Sequence, residues 1–145
     1  MASLIYQMWK LGQLNGTATV DFDTDTLKVM LVSSGYTPDV NAHDFANDVT
    51  SEVSTSGYSA GGKALTALTV VSDSANGWIN VDASDIAWSI PSGSTLTARA
   101  AVLYKSLATL TLSPLIAYID FGTDQVASNG NLTIQWSTSG YLRLT

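Results

Sequence analysis

The sequence has no cysteine, one histidine, one glutamate and three prolines, and only 12% of its residues are charged. Each scarcity removes a class of chemistry. Without cysteine there is no disulfide, no thiol nucleophile and no thiolate-bound metal, and the fold is indifferent to redox compartment. With His43 as the sole histidine, a multi-histidine metal centre is excluded. With Glu52 as the sole glutamate, a paired-carboxylate glycosidase would have to use aspartates, and nothing selects a pair. Cations are few as well: Lys10, Lys28, Lys63, Arg99, Lys105 and Arg143 are scattered along a chain of net charge −6. A phosphate-binding surface needs clustered cations, so no nucleic-acid partner is expected. No apolar run approaches the roughly 20 residues of a bilayer span, so no membrane partner is expected either. The start, "MASLIYQMWKLG", has neither a cationic region nor a separate apolar core with a cleavage site, and no signal peptide is expected.

What is present is apolar and β-rich. Hydrophobic residues make up 46% of 145 residues, enough for one domain with a real core. Serine, threonine, asparagine and glycine replace charge, which elsewhere runs near ~25%. Such a surface suits burial against partners. Residues 1–14 form a helical segment: Leu4, Ile5, Met8, Trp9 and Leu11 fall near helical spacing, with Ser3 as N-cap and Gly12 as stop. Residues 15–145 read as a β domain. Strands are expected at Thr17–Phe22, Thr26–Val32, Ala64–Val71, Gly77–Val81, Ser84–Ile90, Thr95–Lys105 and Pro114–Phe121, then in "NLTIQW" and "GYLRLT". Pro91-Ser92-Gly93 and Asn129-Gly130 read as turns. In Thr95–Lys105 the alternation puts Leu96, Ala98, Ala100, Val102 and Tyr104 on one face. Residues 33–56 form a long polar loop, with a helical turn capped by Asn41; a loop of that length in a small domain usually has a function. The pattern predicts a mainly β fold, a single antiparallel β-sandwich or barrel-like domain with a short N-terminal helix.

Four motifs invite chemistry. Gly57 to Lys63 fits seven of eight positions of a G-x-x-x-x-G-K-[ST] phosphate loop, but Ala64 replaces the magnesium-binding hydroxyl. The next residues alternate like a strand where a helix is required. Glycines 57, 61 and 62 therefore read as a structural turn that includes Tyr58. Asp21, Asp23 and Asp25 begin like a calcium loop, but Thr26 and Val32 occupy the positions of its glycine and bidentate glutamate. A solvated hairpin turn is the reading, with a weak surface calcium site as the alternative. His43-Asp44 has no nucleophile on a shaped turn such as G-x-S-x-G, so no catalytic residues and no cofactor are assigned. Finally, four tryptophans and six tyrosines admit a carbohydrate-binding sandwich, with Trp78, beside Gly77, the exposed candidate.

The linear order of segments carries more than any one motif. "DTDTLKVMLV", "YTPDVNAHDFANDV", "SEVSTSGYSAGGKAL", "ARAAVLYK", "PLIAYIDFGTDQ" and "GNLTIQWSTSGYLRL" follow one another over residues 20–145. This resembles a group of small virion structural proteins of tailed bacteriophages, marked by the G-Y-x-A-G-G block. The resemblance implies a capsid decoration or cement protein on the virion exterior, not an enzyme. It further implies a homo-oligomer, with a trimer favoured, bound to the major capsid protein. A tail or head–tail junction protein is the alternative within the same class. Contact residues are then expected in the loop at Tyr36, Pro38, His43, Asp44 and Phe45, and on the N-terminal segment at Leu4, Met8 and Trp9.

Overall fold

A computed structural model describes the whole chain, Met1–Thr145. It is mainly β, with two antiparallel sheets that do not close into a barrel. The first sheet has the order β1-β7-β6-β2-β3: β1 (Leu4–Ile5), β2 (Leu27–Val32), β3 (Lys63–Ala64), β6 (Ile86–Lys105) and β7 (Leu115–Ile134). The second has β4 (Thr69–Asp73), β5 (Trp78–Asp82) and β8 (Leu142–Leu144), in the order β4-β5-β8. One helix, α1 (Gln7–Asn15), lies between β1 and β2 in the chain.

Both faces of the first sheet are covered around β2, whereas the far half of the β6–β7 hairpin buries one face only. Along β2, Leu27, Val29 and Leu31 enter a 19-residue core that also holds Trp9, Trp88, Val81 and Leu142, so both sheets and α1 share it. Met30 and Val32 point the other way, into a second core with Tyr6, Tyr36, Ala46, Val102, Tyr104 and Tyr118. The long loop thus supplies the second cover, and the near-continuous apolar run of β2 is what a strand buried on both faces requires.

Several expected elements are placed differently. Leu4 and Ile5 pair with Tyr118 and Ala117 of β7 rather than opening a helix. Ser3 is no N-cap; its Oγ accepts from Asp120 N–H at 3.0 Å. The helix runs through Gly12, whose missing Cβ lets Ala18 pack against it, and stops at Gly16 with φ 78°. Thr17–Phe22 is irregular, not a strand. Ala64–Val71 is split: it leaves the first sheet after Ala64, passes Ala67 at φ 52°, and joins the second sheet at Thr69.

The two expected turns fall inside one long hairpin. Ile90 pairs with Gly130 and Thr95 with Ser128, so Pro91–Ser94 bulges opposite Asn129 alone. A second irregularity sets Arg99 opposite residues 121–124, between the pairs Ala98–Gln125 and Ala100–Asp120. It also divides the expected apolar face. Leu96 and Ala98 belong to the first core, whereas Ala100, Val102 and Tyr104 belong to the second. A bulge that re-aims side chains in this way is a normal device of long strands.

Candidate functional site

The glycine block is a lock on the edge of β2. Gly57, Gly61 and Gly62 all have positive φ, at 87°, 83° and 73°. At Gly62 an added Cβ would strike the carbonyl of Val29, and at Gly57 that of Ser89. Only glycine satisfies both demands. The Glu52 carboxylate sits at the centre: Oε1 accepts from Tyr58 OH at 2.7 Å and from Gly61 N–H at 2.6 Å. Tyr58 OH in turn accepts from Leu31 N–H at 3.0 Å, and Tyr104 OH donates to Gly61 O at 2.6 Å. Burial above all, with the Glu52 contact adding to it and the Leu31 N–H opposing it, raises the Tyr58 hydroxyl far above its ordinary value. Lys63 Nζ donates to Ala87 O at 2.7 Å, and the chain continues as a two-residue strand rather than a helix. No phosphate cradle results, because its lysine and its glycines are engaged in joining β2 to β6. The role of Glu52 was missed in the sequence; being the only glutamate, five residues before Gly57, is the signal that could have found it.

The long loop is built into the fold. Tyr36 and Pro38 are buried, and His43, Asp44 and Phe45 are half-buried. Tyr6 OH and Tyr36 OH lie 2.8 Å apart, and Tyr36 OH lies 2.9 Å from His43 Nδ1, which also accepts from Asp39 N–H at 3.2 Å. Burial raises the Tyr36 hydroxyl, and burial followed by the Tyr36 contact raises that of Tyr6. The helical turn lies at 46–48, later than Asn41, and the Asp48 carboxylate anchors it by accepting from Asp44 and Phe45 N–H at 3.0 and 3.1 Å. Burial opposes the Asp48 charge, but these N–H groups hold its carboxyl below the ordinary range. Burial, then the neighbouring Asp48, pushes Asp44 up. Tyr36 and Pro38 are therefore core residues, not surface available to a partner. Trp9 is buried likewise and meets Phe22 edge-on at 5.9 Å. Leu4 packs on the second core, and Met8 is half-buried on α1.

A polar pocket of about 250 Å³ lies at the glycine block, lined by Gly57, Ser59, Gly62, Lys63, Trp88 and Ser89, and a more apolar opening lies elsewhere. Between α1 and the second sheet lies a groove of about 510 Å³, nine of whose eleven lining residues are hydrophobic. Trp9 and Leu14 form the helix wall, and Val70, Val81, Leu142 and Leu144 form the sheet wall. Lys10 is its one charged lining residue. Leu14, which the sequence reading did not single out, is 89% exposed. A second apolar patch, Leu107, Leu110 and Leu112, lies exposed on the β6–β7 connection.

The other candidates are occupied by structural bonds. Asp25 pairs with Lys105 at 2.7 Å and accepts from Asp21 N–H, while Asp21 accepts from Asp23 N–H. The three carboxylates organise a turn and do not form a group suited to a metal ion. Trp78 is half-buried, with the Arg143 guanidinium 4.1 Å above its ring, so that face is taken by a cation–π contact. Compared with protein-family models, with curated proteins and with solved structures, the chain gives no significant match.

Proposed function

We propose that this chain is a virion structural protein of a tailed bacteriophage, a decoration or cement protein that binds the major capsid protein and stiffens the shell. The observation that carries the reading is the open apolar groove between α1 and the second sheet. A lightly charged chain that leaves such a groove and a largely exposed Leu14 in water is suited to a surface that becomes buried on assembly. The resemblance in segment order supplies the partner. The mechanism is mechanical: the groove and the Leu107–Leu112 patch engage neighbouring capsid subunits together, so weak contacts add through linkage.

The test uses purified protein and empty expanded shells of the phage that encodes it. The protein should co-sediment with shells and raise their melting temperature. Leu14→Asp should abolish both effects while leaving the protein folded, because Leu14 is a surface residue in the free chain. A protein that neither binds shells nor changes their heat stability overturns the proposal. Labelled protein should decorate the whole shell; signal confined to one vertex or to the tail axis overturns the decoration role.

A further inference from the structure

The edges of the two sheets are finished differently. The first sheet ends in β1 and β3, strands of two residues each, and beyond them the far halves of β6 and β7 pair only with each other, in a ribbon interrupted by the Pro91–Ser94 bulge. Very short edge strands are a standard protection against unwanted pairing. The second sheet ends on one side in β4, Thr69-Val70-Val71-Ser72-Asp73, five residues paired only with β5. It has no lysine, proline or bulge, and it is rich in β-branched residues. Thr69 to Ser72 are all exposed, with Val70 at 40% and Val71 at 55%. Its free backbone groups face water along a strand with strong sheet-forming composition.

We propose that β4 is a homodimer edge, on which a second copy of this chain adds its own β4 antiparallel about a two-fold axis at Val71. Three observations select a second copy. First, the sequence is self-complementary in that register. All five residues pair, Val71 meets Val71, and the charged Asp73 falls opposite Thr69 rather than opposite its own copy. Second, the register respects the faces. Val70 and Ser72 lie opposite Val81 and Ile79 and so share the core side, whereas Val71 lies opposite Asn80 on the outer side. Pairing Val70 with Ser72 keeps both core faces on one side of a continuous sheet; a one-residue slip would turn one copy over. Third, the head-to-tail alternative is poorer. The other edge, β8, has only three residues, and its central Arg143 donates to Asn80 and covers Trp78. A two-fold contact also consumes the β4 edge completely, so the contact closes on itself rather than propagating through β4. This arrangement differs from the three-fold one that the resemblance implies, and it does not depend on capsid binding.

The absence of cysteine makes the register directly testable. Directly opposed residues of an antiparallel pair have Cα atoms about 4.5–5.5 Å apart, within the ~4.4–6.8 Å span of a disulfide. Val71→Cys should therefore cross-link to its own copy under mild oxidation. Thr69→Cys, four rungs from its own copy, would be separated by roughly 14 Å and should cross-link roughly tenfold more slowly or less. By light scattering, the full chain should approach twice its 15.3 kDa as concentration rises. Val71→Lys should stay at the monomer mass with an unchanged melting curve, since two lysines would meet on the axis. A wild-type chain that stays monomeric overturns the proposal. So does an oligomer that persists in Val71→Lys, or cross-linking of Thr69→Cys as fast as that of Val71→Cys.

Discussion

The two sheets show how one short chain divides its labour. Around β2 the first has apolar side chains on both faces, one sealed by the shared core and the other by the long loop, and its outermost strands have two residues each. The second has one core face, an open groove on that face and an exposed five-residue edge. The difference teaches that hydrophobic strands are not equivalent. Those of the first sheet hold the fold, and those of the second leave apolar surface open to solvent. Local stability should follow the same division, because a region with few buried contacts opens without global unfolding.

The contrast is tested most strongly by truncating one leucine in each sheet. Leu31 is fully buried in β2, so Leu31→Ala should cost about 2–5 kcal/mol in denaturant unfolding. Leu144 is half-exposed in β8, and Leu144→Ala should stay within about 0.5 kcal/mol. Equal losses would erase the distinction. The next test compares glycines of the same backbone conformation. Gly62 and Gly77 have φ of 73° and 72°, but only Gly62 faces a neighbouring backbone. Gly62→Ala should cost roughly 3 kcal/mol or more, conformational strain plus displacement of β2. Gly77→Ala, in the β4–β5 turn, should cost only the strain, about 1–2 kcal/mol. A smaller effect is expected from Tyr58→Phe, which strips a partner from Leu31 N–H and from Glu52. Leaving a buried polar group short of a partner costs about 1–3 kcal/mol, and amide exchange should quicken across β2 but not across β4.

The first sheet was also the more legible in sequence. Leu27–Val32, Thr95–Lys105 and the strand after Pro114 all stand out by composition, and each is central and buried. Position-specific facts were harder. Pro91-Ser92-Gly93 and Asn129-Gly130 are sound local turn signals, yet they fall opposite one another in the β6–β7 hairpin and are absorbed into a bulge. Leu4 and Ile5 have helical spacing with Met8, but pairing with β7 outweighs it. Tyr36 and Pro38 read as contact residues because a polar loop gives no sign of what it folds back upon. The glycine block was legible as a turn, though its hub, Glu52, was not. The groove and Leu14 could not be read at all, since a groove is a product of tertiary spacing between α1 and a sheet formed fifty residues later.

The smallest expected effect bears on how the first sheet closes its edge. β1 is only two residues long, and it is held by more than its pairing. Asp120 N–H donates to Ser3 Oγ, and the Asp120 carboxylate meets Arg99 Nε at 2.9 Å and the Met1 amine at 3.1 Å. The Arg99 guanidinium first, and Gly122 N–H second, hold the Asp120 carboxyl well below the ordinary carboxylate range. A carboxyl depressed in the folded state stabilises fully above the unfolded value of about 4, and that stabilisation drains as pH falls below it. Both cationic partners are partly exposed, so the effect is screened and modest. Asp120→Asn should therefore lower the melting temperature slightly at neutral pH, and the gap from the parent chain should close as pH falls below about 4. The signals of Leu4 and Ile5 in nuclear magnetic resonance should shift in the variant, while those of β4 should not. A gap that is independent of pH, or a response spread equally over both sheets, would mean that the ion cluster does not fasten the edge. In that case the contrast between a closed edge at β1 and an open one at β4 would rest on strand length alone.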